Sequence, residues 1–430
     1  MLITPKILAL PLTLALATAC GSDNISGVKD GQTELTLNFC GLPPEWLAFQ
    51  NEGEGWQRVT ADASGIVELS ATPRVSIAFA FGDFGFSSTV IVNTTADELK
   101  TDVPCDLSFG TKSLTGNVAG LTGEQAARIT IGEQSASADV ANPDFEFEFL
   151  PSTPVDLVAL RFASFFSSPP DKVIIRRGLV PQNLSISTLD FDASEAQQLA
   201  SRTLTLANMG SDFGLISTEY MTSNGTIATI GDMSVFGGTT AVAYPAVPSS
   251  LQEQSDLHAL TITASSATGT REVTQYFRTA VDKTITFGPH VNAPTVSQVA
   301  TSPYLRMRAT LAAQSEYPTA VGVGFSQGNQ SEFRSVDILT TAGFHGGAPA
   351  TWDLVIPDFS GTGYQNAWGL QSGAPVSWDV TGYNAGSHIL ATAPVDGQAL
   401  STAVRSSTTS FAQSSVRGAK VRRSLYRLHR

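Results

Sequence analysis

A serine between two glycines has a spacing that catalysis uses. Ser326 lies in Gly324-Phe-Ser-Gln-Gly, the G-x-S-x-G pattern that presents a nucleophilic serine on a sharp turn between a strand and a helix. Three aspartates and then His388 follow it, so the order of a nucleophile, an acid and a base for ester hydrolysis is present. These aspartates are Asp353, Asp358 and Asp379.

The residues after Ser326 argue against this chemistry. The turn must lead into a helix, yet residues 329–336 carry no apolar stripe, and a strand-like pattern returns at 351–356. A hydrolase core of this kind alternates strands with helices, and the helices are missing here. We therefore predict no catalytic residue, and Ser326 with His388 stays the one named pair for an exported hydrolase.

Metal chemistry has even less support in the sequence. The five histidines lie far apart, without H-x-H or H-E-x-x-H, and there is no C-x-x-C. Asp190-Phe-Asp-Ala-Ser-Glu begins like a calcium loop but lacks its glycine and its distal glutamate, so we interpret it as a turn that opens a short helix over 195–200. We predict no metal site and no cofactor. Paired carboxylates for glycoside hydrolysis stay open as an alternative, because such pairs meet in space and not in sequence.

The three cysteines are expected to have two different roles. Cys20 ends a stretch with one cation, Lys6, then an apolar run and small residues, which is the pattern of a secretory signal. The apolar run is too short to span a bilayer as a helix. Export favours disulfides, so we predict that Cys40 and Cys105 are bridged, which stabilises by roughly 4 kcal/mol for a loop of this length. Two buried thiols are the alternative.

The end of this signal, Ala17-Thr18-Ala19-Cys20, resembles the lipobox of bacterial lipoproteins, although Ala17 stands where that family usually has leucine. The resemblance implies a lipid on the sulfur of Cys20, with residues 1–20 as the lipoprotein signal and 21–32 as a tether. Because one acyl chain holds a protein only marginally, several chains on one residue give firm anchoring. Since Gly21 and not aspartate follows, the resemblance implies the outer membrane of a bacterial envelope. Ordinary secretion, with Cys20 a spare thiol, is the alternative.

Composition and charge limit the function classes. Only 15% of the 430 residues are charged, well below the usual quarter, and this is typical of an exported β-protein. The net charge of −13 argues against nucleic acid as a partner. The basic tail, 416–430, has apolar residues at helical spacing and could lie on an anionic membrane surface, or it could be a disordered end.

Period-two alternation of apolar and polar residues dominates the rest of the chain. Phe145, Phe147 and Phe149 are predicted to face a core, with Glu146 and Glu148 in water. We predict an all-β fold of tandem antiparallel β-sandwiches with almost no helix. The expected domains are 33–110 with the disulfide, 111–200, and a larger sandwich or barrel over 201–415.

The order of strands in 111–200 resembles the carboxypeptidase-regulatory-like or Cna-B-type sandwiches of bacterial surface proteins. It is carried by the opening 114–121, the strand 145–150 and the strand 155–162. The resemblance implies a spacer or adhesion module without catalysis.

Five tryptophans are candidates for a ligand platform or pocket, although we favour packing for all of them. They are Trp46, Trp56, Trp352, Trp368 and Trp378. Two function classes follow from the whole sequence. The first is a lipid-anchored envelope protein of binding or structural type, with a protein or carbohydrate ligand and a membrane contact through Cys20. The alternative is an exported hydrolase, directed at carbohydrates or esters, with its site in 201–415.

Overall fold

The computed structural model of the protein describes residues 32–39, 43–83, 85–99, 111–164, 169–182, 184–329, 332–385 and 394–409. These residues form strands and two short 3₁₀ turns, Ser249–Leu251 and Gly343–His345, and they contain no α-helix. No helix in this part of the chain is long and apolar enough to cross a membrane. The predicted all-β fold is confirmed.

The strands follow one another with short connections. The first group is β1 (Thr33–Asn38), β2 (Trp46–Asn51), β3 (Gln57–Val59), β4 (Ile66–Ala71), β5 (Arg74–Asp83) and β6 (Phe86–Thr95). The second group is β7 (Lys112–Ala119), β8 (Ala126–Ile131), β9 (Gln134–Asp139), β10 (Asp144–Leu150), β11 (Val155–Phe162), β12 (Pro170–Leu179), β13 (Leu184–Ser185), β14 (Leu189–Asp190) and β15 (Gln197–Gln198). The third group is β16 (Ala200–Ala207), β17 (Phe213–Met221), β18 (Ile227–Val235), β19 (Ala241–Ala246), β20 (Leu257–Ser266), β21 (Gly269–Phe277) and β22 (Lys283–Thr286). The last group is β23 (Thr295–Ala300), β24 (Arg306–Ala312), β25 (Ala320–Gly328), β26 (Phe333–Thr341), β27 (Thr351–Val355), β28 (Val376–Asn384) and β29 (Ala399–Thr409).

The chain forms two compact units, each built from separate stretches of sequence. The first unit comprises the described parts of Met1–Asp106, Val291–Ala393 and Val404–Arg430, and the second those of Leu107–His290 and Pro394–Ala403. The region predicted as one domain over 201–415 is therefore divided between the two units. Residues 201–290 lie in the second unit, with the strands of 111–200.

In the first unit, seven strands are hydrogen-bonded in the order β28, β25, β26, β6, β5, β2 and β3. Strand β6 pairs with β26 in parallel, from Phe86 opposite Phe333 to Asn93 opposite Thr340, and this joins the beginning of the chain to its last quarter. The pair β1 and β4 covers β2 and β5, where leucines such as Leu35 and Leu37 pack with Ile77 and Phe79 in one core. A third sheet contains β23, β24 and β27.

The second unit contains two sandwiches. In the first, β7 and β10 pack against β8, β11 and β12 around a core that includes Leu114 and Phe145. In the second, β16, β19 and β22 pack against β17, β20 and β21. A further core contains Val158 and Leu160 of β11 with Tyr220 and Ile230, so β11 is buried on both faces and all eight of its residues are buried.

Three sequence predictions need correction or refinement. Residues 195–200 form a turn and strand β15, not a short helix, because Gln197 and Gln198 pair with β12. None of the described sheets closes into a barrel, which leaves the sandwich form of the prediction. Phe145 and Phe147 face the core as predicted, but Phe149 is 64% exposed. A register shift between Phe147 and Leu150 turns Phe149 outward and places Leu150 inside.

Candidate functional site

Several predicted site residues lie outside the described residues. They are Cys20, Cys40, Cys105, His388 and the whole of the basic tail 416–430. The lipid anchor, the disulfide and the pairing of Ser326 with His388 therefore stay predictions.

Ser326 lies inside strand β25 and is 3% exposed. It is flanked by Ser335 on β26 and Ser377 on β28 in a regular antiparallel ladder. A nucleophilic serine of the G-x-S-x-G type must stand on a tight turn with its hydroxyl exposed. Ser326 has neither the turn nor the exposure, so its position does not support ester hydrolysis.

Two carboxylates meet beside Ser326. A Cβ placed on Gly324 would lie 2.7 Å from Oδ1 of Asp337 and 2.9 Å from Oδ1 of Asp379, which come from the two neighbouring strands. Burial, together with the charge of both carboxylates, raises the pKa of Tyr383 to about 12. Asp379 is 5% exposed, so a substrate in solvent has little access to its carboxylate.

Four of the five tryptophans pack in the interior, and Trp56 is half-buried. Trp46, Trp352, Trp368 and Trp378 are at most 8% exposed, as packing predicts. The ring of Trp46 lies 4.8 Å from those of Phe359 and Tyr364. Trp56 and Trp368 join the same aromatic cluster, in contact with Phe359 and Tyr364 respectively.

The second unit contains a buried ionic network whose role is structural. Arg177 pairs with Asp156 and Asp256, whose side chains are fully buried. Burial alone would raise the pKa of Asp156, but hydrogen bonds from Asn224, the Gly178 N–H and Arg177 outweigh it and hold the pKa below its usual value. Because both carboxylates are fully buried and paired with Arg177, the network ties strands together.

A polar groove on the second unit is the best candidate for a binding site. It has a volume of about 620 Å³ and lies on the outer face of the sheet β10-β7-β13. The strand register places Asp144 opposite Asn117 and Glu146 opposite Thr115. The groove is lined by Thr115, Gly116, Asn117, Asp144, Phe145, Glu146, Ser185, Ile186, Ser187 and Thr188.

The polar side chains of the groove are available to a ligand. Within the described residues, those of Thr115, Asn117, Asp144, Glu146 and Ser185 form no hydrogen bond or ion pair. Carboxylates accept hydrogen bonds, whereas hydroxyls and amides both donate and accept them. The groove can therefore satisfy a ligand that carries many hydroxyl groups.

One wall of the groove is held rigidly by Arg176. Its guanidinium donates to the backbone oxygen of Ser187 at 2.5 Å and to that of Thr188 at 2.6 Å. Glu195 completes the arrangement, with 2.7 Å between its Oε1 and Nη2 of Arg176. A wall fixed in this way needs little ordering when a ligand binds, which favours affinity.

Gly116 allows the side chains of Phe145 and Ile186 to pack closely against the backbone of β7. A Cβ at this position would lie 2.5 Å from Cζ of Phe145 and 2.9 Å from Cγ1 of Ile186. Contacts that short do not occur, so a larger residue would push apart β7 and the segments that flank it.

Phe149 stands further along β10 in a strained conformation. Its φ is 58°, in the left-handed region that glycine adopts easily and bulky residues rarely do. At about 3.3 Å per residue it lies roughly 10 Å along the strand from Glu146. Bulges often re-aim a side chain next to a functional site, and this one exposes an aromatic ring on the strand that carries both groove carboxylates.

The groove has no signature in the sequence. The alternation in β10 placed Glu146 in water, but it gave no reason to group that residue with Asn117 or Ser185 on other strands. Among the described residues, no group of three His, Cys, Asp or Glu side chains is placed to hold a metal ion.

Comparison with known proteins adds no relative. No protein-family model matches the chain, and a search of curated proteins finds no match. The resemblances to a lipobox and to a carboxypeptidase-regulatory-like sandwich stay predictions from the residues themselves.

Proposed function

We propose that the chain is a lipid-anchored protein of the bacterial cell envelope whose role is to bind a ligand. The observation that carries the binding role is the open groove on β10, β7 and β13, with its unpaired polar side chains. The anchoring rests on the residues of the leader, from Lys6 to Cys20. The all-β body with few charges is typical of exported proteins.

Anchoring is tested by metabolic labelling of the full-length chain with radioactive palmitate in a bacterial host. We expect label in the wild-type protein and none in Cys20→Ser, with the wild type in the membrane fraction. Cys40→Ser serves as the matched control, because it also replaces one cysteine by serine and should keep the label. A wild-type chain that keeps its leader and takes up no fatty acid would contradict the proposal.

The membrane and the disulfide can be examined in the same cells. Density-gradient separation should place the labelled protein with the outer membrane, as Gly21 after the cysteine predicts. Peptide mass spectrometry without reducing agent should show Cys40 and Cys105 in one bridged pair. Free thiols at both positions would remove the disulfide from the proposal without affecting the anchor.

A hydrolytic role finds less support. Ser326 is buried inside a regular strand, and Asp379 of the acid pair beside Gly324 is 5% exposed. Ester hydrolysis by the purified chain that falls to background in Ser326→Ala would restore this alternative.

A further inference from the structure

We propose that the groove and Phe149 together bind a neutral glycan. This inference rests on the proposed binding role and names the class of ligand. The ligand would lie along β10, with its hydroxyl groups in the groove and a sugar ring against the exposed face of Phe149.

The lining of the groove matches a chain of sugars. Two carboxylates, Asp144 and Glu146, accept hydrogen bonds from sugar hydroxyls, and Asn117 and the serine and threonine hydroxyls both donate and accept. Convergent polar groups fix the orientation of a bound ligand, and a nearby aromatic ring adds apolar contact. Phe149 provides that ring, because 64% of its side chain is exposed to solvent.

Charge decides which glycans fit. Asp144, Glu146 and the exposed Glu148 all stand on the outward side of β10 and would repel a phosphate or an acidic sugar. In the lining of the groove, side chains with a hydroxyl or an amide outnumber those with a carboxylate. This composition favours a ligand rich in hydroxyl groups over a cationic peptide. Neutral sugars carry no charge that these carboxylates would repel, and their hydroxyls can donate hydrogen bonds to both groove carboxylates.

The strain at Phe149 supports a role for its ring. A bulky residue at positive φ costs stability that glycine would avoid, and the exposed side chain returns little by burial. The structure therefore keeps an aromatic ring at a position where the fold alone favours glycine.

The test is isothermal titration calorimetry of the full-length chain in detergent with four neutral probes: cellohexaose, maltohexaose, laminarihexaose and chitohexaose. We expect at least one to bind. Phe149→Gly should weaken that binding about tenfold by loss of the aromatic contact, and Glu146→Gln should weaken it as well. Because glycine adopts this backbone conformation easily, Phe149→Gly should fold at least as well as the wild type. A loss of binding in this variant would therefore not be caused by unfolding. Phe236→Ser, which removes a 70% exposed ring that does not line the groove, is the control and should bind like the wild type.

Three outcomes would overturn the inference. They are no binding of any of the four probes, binding that is unchanged in both Phe149→Gly and Glu146→Gln, and salt-sensitive binding of heptalysine in place of the glycans. A chain that is still lipidated but fails this test would refute the glycan and leave the envelope role standing. A chain that is not lipidated but binds the probe would do the opposite.

Discussion

Arg177 and Asp256 are joined inside the second unit by a contact of 2.5 Å between Nη2 and Oδ2. Asp156 lies on the other side of the same guanidinium, 2.9 Å from Nη1, and Tyr220 donates its hydroxyl to Asp256. Burial by itself would lower the pKa of Arg177, but the hydrogen bonds to Asp256 and Asp156 raise it. One cation thus connects strands of the first sandwich to the segment before β20.

Removing this cation should be strongly destabilising. Arg177→Met leaves two fully buried carboxylates without a counter-charge, and we expect a loss of about 3–5 kcal/mol in the free energy of unfolding. Urea denaturation measures it. Arg177→Lys keeps the charge but not the fork of donors, so its loss should be smaller. A loss below about 1 kcal/mol in Arg177→Met would contradict a structural role for the network.

His258 should make the second unit sensitive to mild acid. Its side chain is fully buried, its ring stacks on Phe277, and its Nε2 accepts a hydrogen bond from the Val247 N–H. Burial lowers the pKa of His258 from 6.5 to about 4. The unfolded chain therefore binds a proton that the folded chain does not between these values, so stability is present above pH 6.5 and falls as pH drops toward 4.

Between pH 6.5 and 4, the free energy of unfolding should fall by up to about 1.4 kcal/mol for each unit of pH. Urea denaturation at a series of pH values measures it, and His258→Gln should flatten the curve. The carboxylate of Asp156 does not contribute to this slope, because its lowered pKa changes stability only below the ordinary value of 3.8. An equal slope in wild type and His258→Gln would show that another group is responsible.

Gly324→Ala should destabilise the first unit. The new methyl group would lie within 3 Å of carboxylate oxygens of both Asp337 and Asp379, on strands that cannot move apart without breaking the ladder. Overpacking of this kind costs about 1–3 kcal/mol. Gly55→Ala is the matched control, because no atom lies within 4 Å of its Cβ position. Thermal unfolding of the two variants should differ clearly, and equal midpoints would contradict the close approach.

Phe149→Gly should leave the fold intact or make it more stable. Replacing a bulky residue at φ 58° with glycine relieves a cost of about 1–2 kcal/mol, offset in part by the greater freedom of glycine in the unfolded chain. We expect a net gain of up to about 1 kcal/mol, seen as a higher unfolding midpoint. Phe147→Gly, at a buried position of the same strand, should be destabilised by several kcal/mol. A clear loss of stability in Phe149→Gly would mean that the ring packs more than its exposure indicates.

The sequence predicted most of the local structure. Strand alternation placed Phe145 and Phe147 in a core, and both are buried. The same period failed at Phe149, because a bulge adds one residue to β10 and reverses the faces after it. A single sequence carries little signal for a bulge when phenylalanine takes the place of the usual glycine.

What the sequence determined by itself is the class of fold, since a period of two and a shortage of charge are local properties that each strand carries alone. Which strands meet was decided only in the tertiary structure. The parallel pairing of β6 with β26 joins residues some 247 positions apart, and the grouping of Asn117, Glu146 and Ser185 in one groove depends on the order of three strands. Pairing over such distances depends on how the faces of whole sheets bury their apolar side chains, and this cannot be predicted from any short stretch of the chain.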